Sequence, residues 1–400
     1  MLRRLPTSRL LALLVAVVAA LGGGTAIAMA ALGGSGAKPP AKSLAQALHD
    51  AAAGTAAQGV TARITFTNHL IDSSSLTKGS NPLLSGATGR LWAAPDGRLR
   101  LELQSDAGDA QVTSDGKVLS IFDGTSNTIY RITLPQDASA KTDSGGGGAA
   151  PTVTKIQQFL DQLAKHADVS GATPDNVAGR PAYTTRITPK HDGGLIGAAE
   201  LAWDAANGTP LRAAVYAANN PNPVLELTAT DISFGPVDAA TLAVTPPAGA
   251  KVTKVDLSGA GQGHSRTAGK SAKEQPSDPK QVAAQLPFSL SAPDTLVGLP
   301  RQDVRAVDLD GGKGALVTYG AGLGGIAVLE QPGGSAAPAA PQSGDRHHQL
   351  SLPQISINGA SGEELATALG TLVRFERGGV QYTIIGSVPP AAAEAAARAL

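Results

Sequence analysis

The sequence predicts an α+β protein built on antiparallel β-sheet, and three observations predict it. Apolar and polar residues alternate with period two in run after run, as strands with one buried face require. Turn residues separate consecutive runs at hairpin distance, as Pro95, Asp96 and Gly97 do between 89–94 and 98–105. Helical stripes are few and stand between groups of strands, which favours a meander over a parallel sheet.

In chain order, a Gly/Ala/Pro spacer at 33–40 precedes Leu44, Ala47, Leu48 and Ala51, whose helical spacing ends near Gly54. Val60, Ala62, Ile64 and Phe66 then alternate with Thr61, Arg63, Thr65 and Thr67. In the second strand of the following hairpin Leu99, Leu101 and Leu103 share one face while Arg100, Glu102 and Gln104 share the other. Asp115 and Gly116 turn the chain between 111–113 and 118–122, and 128–134 adds a strand. Four consecutive glycines within 138–151 mark a flexible surface loop. Directly after it Ile156, Phe159, Leu160 and Leu163 fall on one face of a helix expected over 152–166. That stripe is expected to pack on the apolar side of the meander. Strand patterns resume at 181–188, 199–204, 210–217 and 224–234.

From 246 to about 285 the sequence turns polar and rich in Gly, Ser, Lys and Pro, too poor in apolar surface to fold alone. Beyond it, strand patterns occur at 314–319, 325–330, 372–376 and 380–385, with a low-complexity loop at 333–345. Ser361 and Glu364 form a capping box that predicts a helix over 361–370. A terminal helix at 391–400 spaces Glu394 and Arg398 to pair. The expected domains are therefore 41–252, a flexible linker at 253–286, and a smaller α+β domain at 287–400.

Residues 1–32 set the compartment. Arg3, Arg4 and Arg9 precede an almost uncharged apolar run from Leu10 to Leu32, the pattern of an export signal. Ala26, Ala28 and Ala30 offer A-x-A cleavage sites, while the whole run is about long enough to cross a bilayer. Signal peptide and N-terminal membrane anchor both satisfy this segment, and either makes the rest of the chain extracytoplasmic. With no cysteine, there is no lipobox, disulfide framework or thiolate metal site. Acidic and basic residues number 32 each with no basic patch among aromatics, which argues against nucleic-acid binding. The 48 glycines and 27 prolines fit many turns between short strands.

Catalytic signals are poor. Gly320, Gly322 and Gly325 satisfy G-x-G-x-x-G, but a strand pattern follows where a dinucleotide site needs a helix. His347 and His348 are adjacent, so their side chains diverge and leave a metal ion without further ligands. Gly263, His264 and Ser265 lack the rest of a nucleophile elbow and sit in the linker. Asp308 and Asp310 supply too few oxygens at calcium-loop spacing. No cofactor and no metal are expected, and the chain reads as a non-enzyme.

Three segments carry a family resemblance. Gly89, Leu91, Pro95 and the Arg98 to Arg100 stretch resemble a G-x-L-x-x-x-P-x-x-x-R hairpin, and Asp115, Gly116, Lys117, Asp123 and Tyr130 resemble a second. Trp203, Asp204, Asn207, Gly208, Pro210 and Leu211 fit a strand and turn near the domain's end. Together they resemble the LolA-like superfamily, which includes outer-membrane lipoprotein carriers and regulators of envelope-stress sigma factors related to RseB and MucB. The likeness covers about 44–252; that of 287–400 to the C-terminal domain of the RseB-like regulators is weaker. The resemblance implies an incomplete antiparallel β-barrel with helices covering its open mouth and a cavity for acyl chains. Independently, few aromatics and many small residues leave room between helix and sheet, and a roomy apolar cavity is a lipid site. The expected lining is Ile64, Phe66, Leu91, Leu99, Leu101, Leu103, Ile121, Phe159 and Leu163. The expected partners are lipid acyl chains or acylated lipoproteins. The alternative is a membrane-anchored sensor acting on a membrane-embedded regulatory partner in a sigma/anti-sigma system.

Overall fold

A computed structural model describes residues 36–55, 57–71, 82–124, 127–133, 151–165, 167–190, 194–244, 247–255, 278–309, 312–320, 324–334 and 352–400. The readings for 1–32, His264 and the His347/His348 pair lie outside those residues, as does nearly all of the 138–151 loop. The chain divides into two compact units, one holding Thr7–Lys190 and Gly197–Asp256 and the other His191–Ile196 and Leu257–Leu400, with Met1–Pro6.

The first unit carries thirteen strands in one sheet. They are β1 (Val60–Asn68), β2 (Ala87–Ala93), β3 (Arg98–Ser105), β4 (Gly108–Asp115), β5 (Val118–Asp123), β6 (Thr128–Thr133), β7 (Ala167–Val169), β8 (Thr173–Val177), β9 (Arg180–Pro189), β10 (Ile196–Asp204), β11 (Pro210–Ala217), β12 (Pro223–Phe234) and β13 (Lys251–Val255). Their order is β13-β6-β5-β4-β3-β2-β1-β12-β11-β10-β9-β7, with β8 also on β9. Two meanders thus run outward from the β1–β12 pair, which joins Val60 to Phe234 in antiparallel register. The β13–β6 pair is parallel. Twisted open sheets rarely exceed about ten strands without curling, splitting or flattening, and register shifts at Arg63/Ile64 and Val215/Tyr216 add the bends that curling uses. The result is an incomplete antiparallel barrel.

Helices sit on this sheet in layers. Ser43 caps α1 (Leu44–Ala53) through its Oγ on Gln46 N, and a short α2 (Pro82–Ser85) lies against β1, β3 and β4. Thr152 caps α3 (Val153–Leu163), which packs mainly on α1. The small α4 (Ala239–Leu242) lies against β2 and β3.

The second unit has eight strands: β14 (Thr295–Leu296), β15 (Leu299–Leu309), β16 (Gly312–Tyr319), β17 (Ile326–Pro332), β18 (Gln354–Ile357), β19 (Ala360–Thr367), β20 (Gly370–Arg377) and β21 (Val380–Gly386). Their order is β14-β15-β16-β17-β21-β20-β19-β18. Helices α5 (Pro279–Ala283) and α6 (Pro390–Ala399) belong to this unit, and α6 buries Ala393, Ala396 and Ala397 against the sheet's core. The Glu394–Arg398 pair forms as its spacing requires.

Three expectations change. The helix expected at 361–370 is strand β19 and its turn into β20. Pairing on both sides outweighs the local cap, and Thr367 Oγ1 instead accepts from Leu369 and Gly370 N–H to build the turn. The expected linker is shortened at both ends, because β13 reaches Val255 and α5 begins at Pro279. The third change concerns the face of α3, described next.

Candidate functional site

The first unit's sheet has an apolar and a polar face, and the registers define them. Ile232, Ala62, Leu91, Leu101, Val112, Ile121 and Tyr130 are successive cross-strand partners on seven adjacent strands. A parallel row runs through Ala229, Ile64, Gly89, Leu103 and Ala110. Gly89 keeps this row close-packed, because a Cβ there would lie 1.9 Å from the Glu102 carbonyl oxygen. Side chains two residues apart share a face, so Phe66 and Leu99 join the same surface.

Seven of the nine expected lining residues, Ile64, Phe66, Leu91, Leu99, Leu101, Leu103 and Ile121, therefore lie on one face. Their exposure is graded. Leu101, Leu103 and Ile121 are 2%, 1% and 0% exposed, whereas Leu91 and Leu99 are half-buried. The same face continues onto β10, where Leu201 is 37% exposed.

The other two lie on α3, and here the expected packing is corrected. No residue of α3 is buried, Leu163 is half-buried, and Phe159 is 65% exposed. The reason is layering. Leu44 and Ala47 of α1 already cover Tyr183 and Trp203 on the sheet, so α3 touches that cluster only through Leu160. The indole Nε1–H of Trp203 is buried without a hydrogen-bond partner.

On the opposite face charged side chains are cross-linked beside a small buried cluster of Ala198, Ala214 and Tyr216. Arg186 pairs with Glu200, and Arg212 pairs with both Glu200 and Glu226, a ladder across β9 to β12. Arg212 also donates to the Tyr216 hydroxyl at 2.8 Å, while the Arg186 guanidinium stands 4.2 Å from the Tyr216 ring centroid. Burial alone would lower the Arg212 pKa, but its bonds to Glu226 and Tyr216 outweigh that and raise it. On β2 and β3, Arg100 pairs with Glu102 and stacks over Trp92 at 5.6 Å.

The turn between β10 and β11 ties sheet to helix. Asp204 is fully buried, accepts from Arg180 Nε at 2.8 Å and receives the backbone N–H groups of Ala206 and Asn207. Gly208 has φ +70°, and a Cβ there would stand 2.8 Å from the Ala51 carbonyl of α1. The motif read from sequence as Asp204, Asn207 and Gly208 thus seats the end of α1.

In the second unit, a titratable group that sequence reading missed lies in the core. Glu330 is 0% exposed, accepts from Ser291 N at 3.0 Å through Oε2, and leaves Oε1 without a partner. Burial pushes its carboxyl up to about 7, with the Ser291 N–H pulling the other way. Burial likewise pushes the nearby Tyr319 hydroxyl up to about 12. The signal was present: Ile326, Val328 and Glu330 share one face of β17 and all are buried. Among the described residues no group of His, Asp or Glu side chains could hold a metal ion. β17 follows Gly320 and Gly325, so the phosphate-binding reading of those glycines has no helix.

The class defined by strand order and registers is an α+β chain with an incomplete antiparallel barrel and a second, smaller sheet unit. Solved structures that it resembles include MucB and LolA-superfamily proteins. The Pseudomonas aeruginosa MucA/MucB complex is 19% identical, with 88% of this chain and 95% of that chain covered and a TM-score of 0.38. MucB in complex with MucA(peri) is 16% identical over 88% and 95%, with a TM-score of 0.37. The LolA superfamily protein NE2245 from Nitrosomonas europaea is 9% identical, covering 51% of this chain and 99% of that one at a TM-score of 0.22. No family model and no curated protein matches the chain. At TM-scores this low the likeness adds no weight to the fold, which rests on the registers above. Among the described residues no helix is long and apolar enough to cross a membrane.

Proposed function

We propose that this chain is an exported, non-catalytic lipid- or lipoprotein-binding protein that holds acyl chains against the apolar face of its first sheet. The observation that carries the reading is the apolar row across seven strands, which grades from buried Leu101 and Ile121 to half-buried Leu91 and Leu99. Ile64, Phe66, Leu91, Leu99, Leu101, Leu103 and Ile121 are its proposed lining; Leu163 and Phe159, on a helix that packs mainly on α1, suit a different role. Each buried methylene contributes roughly 0.8 kcal/mol. A chain with about ten buried methylenes gains on the order of 8 kcal/mol before ordering costs, enough for reversible carriage.

Native mass spectrometry of the gently purified protein tests this. The expected result is a species heavier by an acyl-containing molecule. Leu99→Glu, placing a charge on the half-open apolar face, removes it, while Arg90→Glu on the exposed polar face leaves it. Survival of the adduct in Leu99→Glu, or its equal loss in both variants, overturns the reading.

A second reading is a membrane-anchored sensor regulating a sigma/anti-sigma pair. The second unit supports it, since a separate sheet with its own core is more than a carrier requires. Retention of residues 1–32 in the intact mass of the exported protein favours the sensor; a cleaved form favours the carrier.

A further inference from the structure

The α3 helix is unusual in exposing its apolar stripe. An isolated helix of this length is marginal in water and ordinarily gains its stability by burying such a stripe. Here Phe159 is 65% exposed, Ile156 and Leu163 are half-buried, and Leu160 alone reaches the α1 cluster. The intervening polar positions, Gln157, Gln158, Asp161 and Gln162, are all exposed. A helix with a polar face, a narrow apolar stripe and low overall hydrophobicity fits the headgroup–acyl boundary of a bilayer better than a protein core.

The chain's own segments narrow the choice of occupant. Residues 135–150, directly before α3, contain no large apolar side chain, and 256–277 are polar. Neither supplies a surface complementary to Phe159. The apolar run from Leu10 to Leu32 has the composition and length of a bilayer segment. The described residues that follow it, from Ala37 onward, are held to the sheet and to α1. Asn176 Nδ2 donates to the Ala37 carbonyl at 2.9 Å, and the Tyr183 hydroxyl donates to the Pro40 carbonyl at 2.7 Å. Lys42 pairs with Asp50 at 2.6 Å, and α1 starts at Leu44. His49 Nδ1 lies 2.8 Å from the Pro151 carbonyl while Leu160 packs in the Leu44 cluster, so α3 runs antiparallel to α1 and brings its Phe159–Leu163 end to the start of α1. Only four residues separate Leu32 from Ala37, a reach of at most about 18 Å over the five Cα steps. Lys38 on that stretch and Lys155 and Lys165 at the two ends of α3 are exposed cations that suit an anionic surface, with the exposed Asp161 between them on α3.

We propose that the α3 stripe centred on Phe159 docks on a lipid bilayer, placing the first unit against the membrane beside the point where the apolar run enters it. The docking deepens the lipid-binding reading by giving the apolar face a lipid source, but it has its own readout. The chain contains no cysteine, so Ile156→Cys can be labelled at one site with an environment-sensitive fluorophore. The full chain is reconstituted into phosphatidylcholine vesicles containing phosphatidylglycerol, with and without a spin-labelled lipid whose nitroxide sits near the headgroups.

The label at 156 is expected to shift to the blue and to be quenched by the spin label, while a label at Gln158→Cys stays water-like. Adding Phe159→Glu lowers the bound fraction of the 156 label by about tenfold or more, and Phe159→Leu retains most of it. The melting temperature of Phe159→Glu stays near that of the parent, and its acyl adduct in native mass spectrometry persists. A water-like, unquenched label at 156 overturns docking. So does a shielded label that the lipid quencher cannot reach, which would mean that residues 10–32 cover the stripe instead. Loss of the adduct with docking intact removes the cavity reading and leaves this one standing.

Discussion

The helices α3 and α6 invert a common expectation about which apolar residues are buried. α3 carries Ile156, Phe159, Leu160 and Leu163 and buries none of its residues, whereas α6 offers little but alanine and buries Ala393, Ala396 and Ala397 completely. The difference lies in what each helix lands on. Small side chains let α6 approach the second sheet closely and join one continuous core with Val328, Val373 and Ile384. α3 lands on another helix, and its stripe is left for something else to cover. Composition alone ranks these helices the wrong way round; layering ranks them correctly.

The largest expected effect belongs to α6. Ala396→Asp places an unpaired charge in a sealed core and costs at least about 4 kcal/mol, enough to unfold the second unit in a chemical-denaturation series. A change below about 1 kcal/mol would mean that α6 is not closely packed. Next comes the graded face of the first sheet. Leu101→Ala costs about 2–5 kcal/mol, because the site is enclosed, while Leu201→Ala costs less than about 1 kcal/mol. Equal costs would show that the face is uniformly covered, contrary to its graded exposure.

Glu330 comes third and contrasts the two cores by pH. Its carboxyl stands at about 7 against an ordinary 4.5, so the folded chain holds the proton more tightly than the unfolded chain. The stability it contributes is full below about 4.5 and is lost as pH rises through 7. Glu330→Gln keeps an acceptor for Ser291 and is expected to be about 2–3 kcal/mol more stable than the parent at pH 8 and about equal to it at pH 4. Thermal melts at the two pH values check this; a gain of the same size at both would assign the effect to packing. The smallest effect is Phe159→Ala, below about 0.5 kcal/mol in the same melts, since little of that ring is buried.

Much of this was legible from residues alone. The alternation of Leu99, Leu101 and Leu103 against Arg100, Glu102 and Gln104 fixes both the strand and its faces, and the Asp204–Gly208 turn follows from side-chain chemistry that is local in sequence. What could not be read was non-local. The β1–β12 pair that merges two meanders joins residues far apart in the chain, and the parallel addition of β13 at the β6 edge has no local signature. Ser361 and Glu364 predicted a helix because a capping box is a local signal, and cross-strand pairing overrode it. The fate of the Phe159 stripe depended on α1 reaching the sheet first. Glu330 was recoverable, since the alternation that buries Ile326 and Val328 buries it too.

The central claim is that the apolar face of the first sheet, and not its charged reverse, holds a hydrocarbon chain. A photoactivatable fatty acid incubated with the intact protein, followed by peptide mapping of the crosslinked positions, addresses it most directly. Labelling concentrated at Leu91, Leu99 and Leu201 is the expected result. Labelling around Trp92, Arg212 and Tyr216, or none displaceable by excess unlabelled fatty acid, would contradict it.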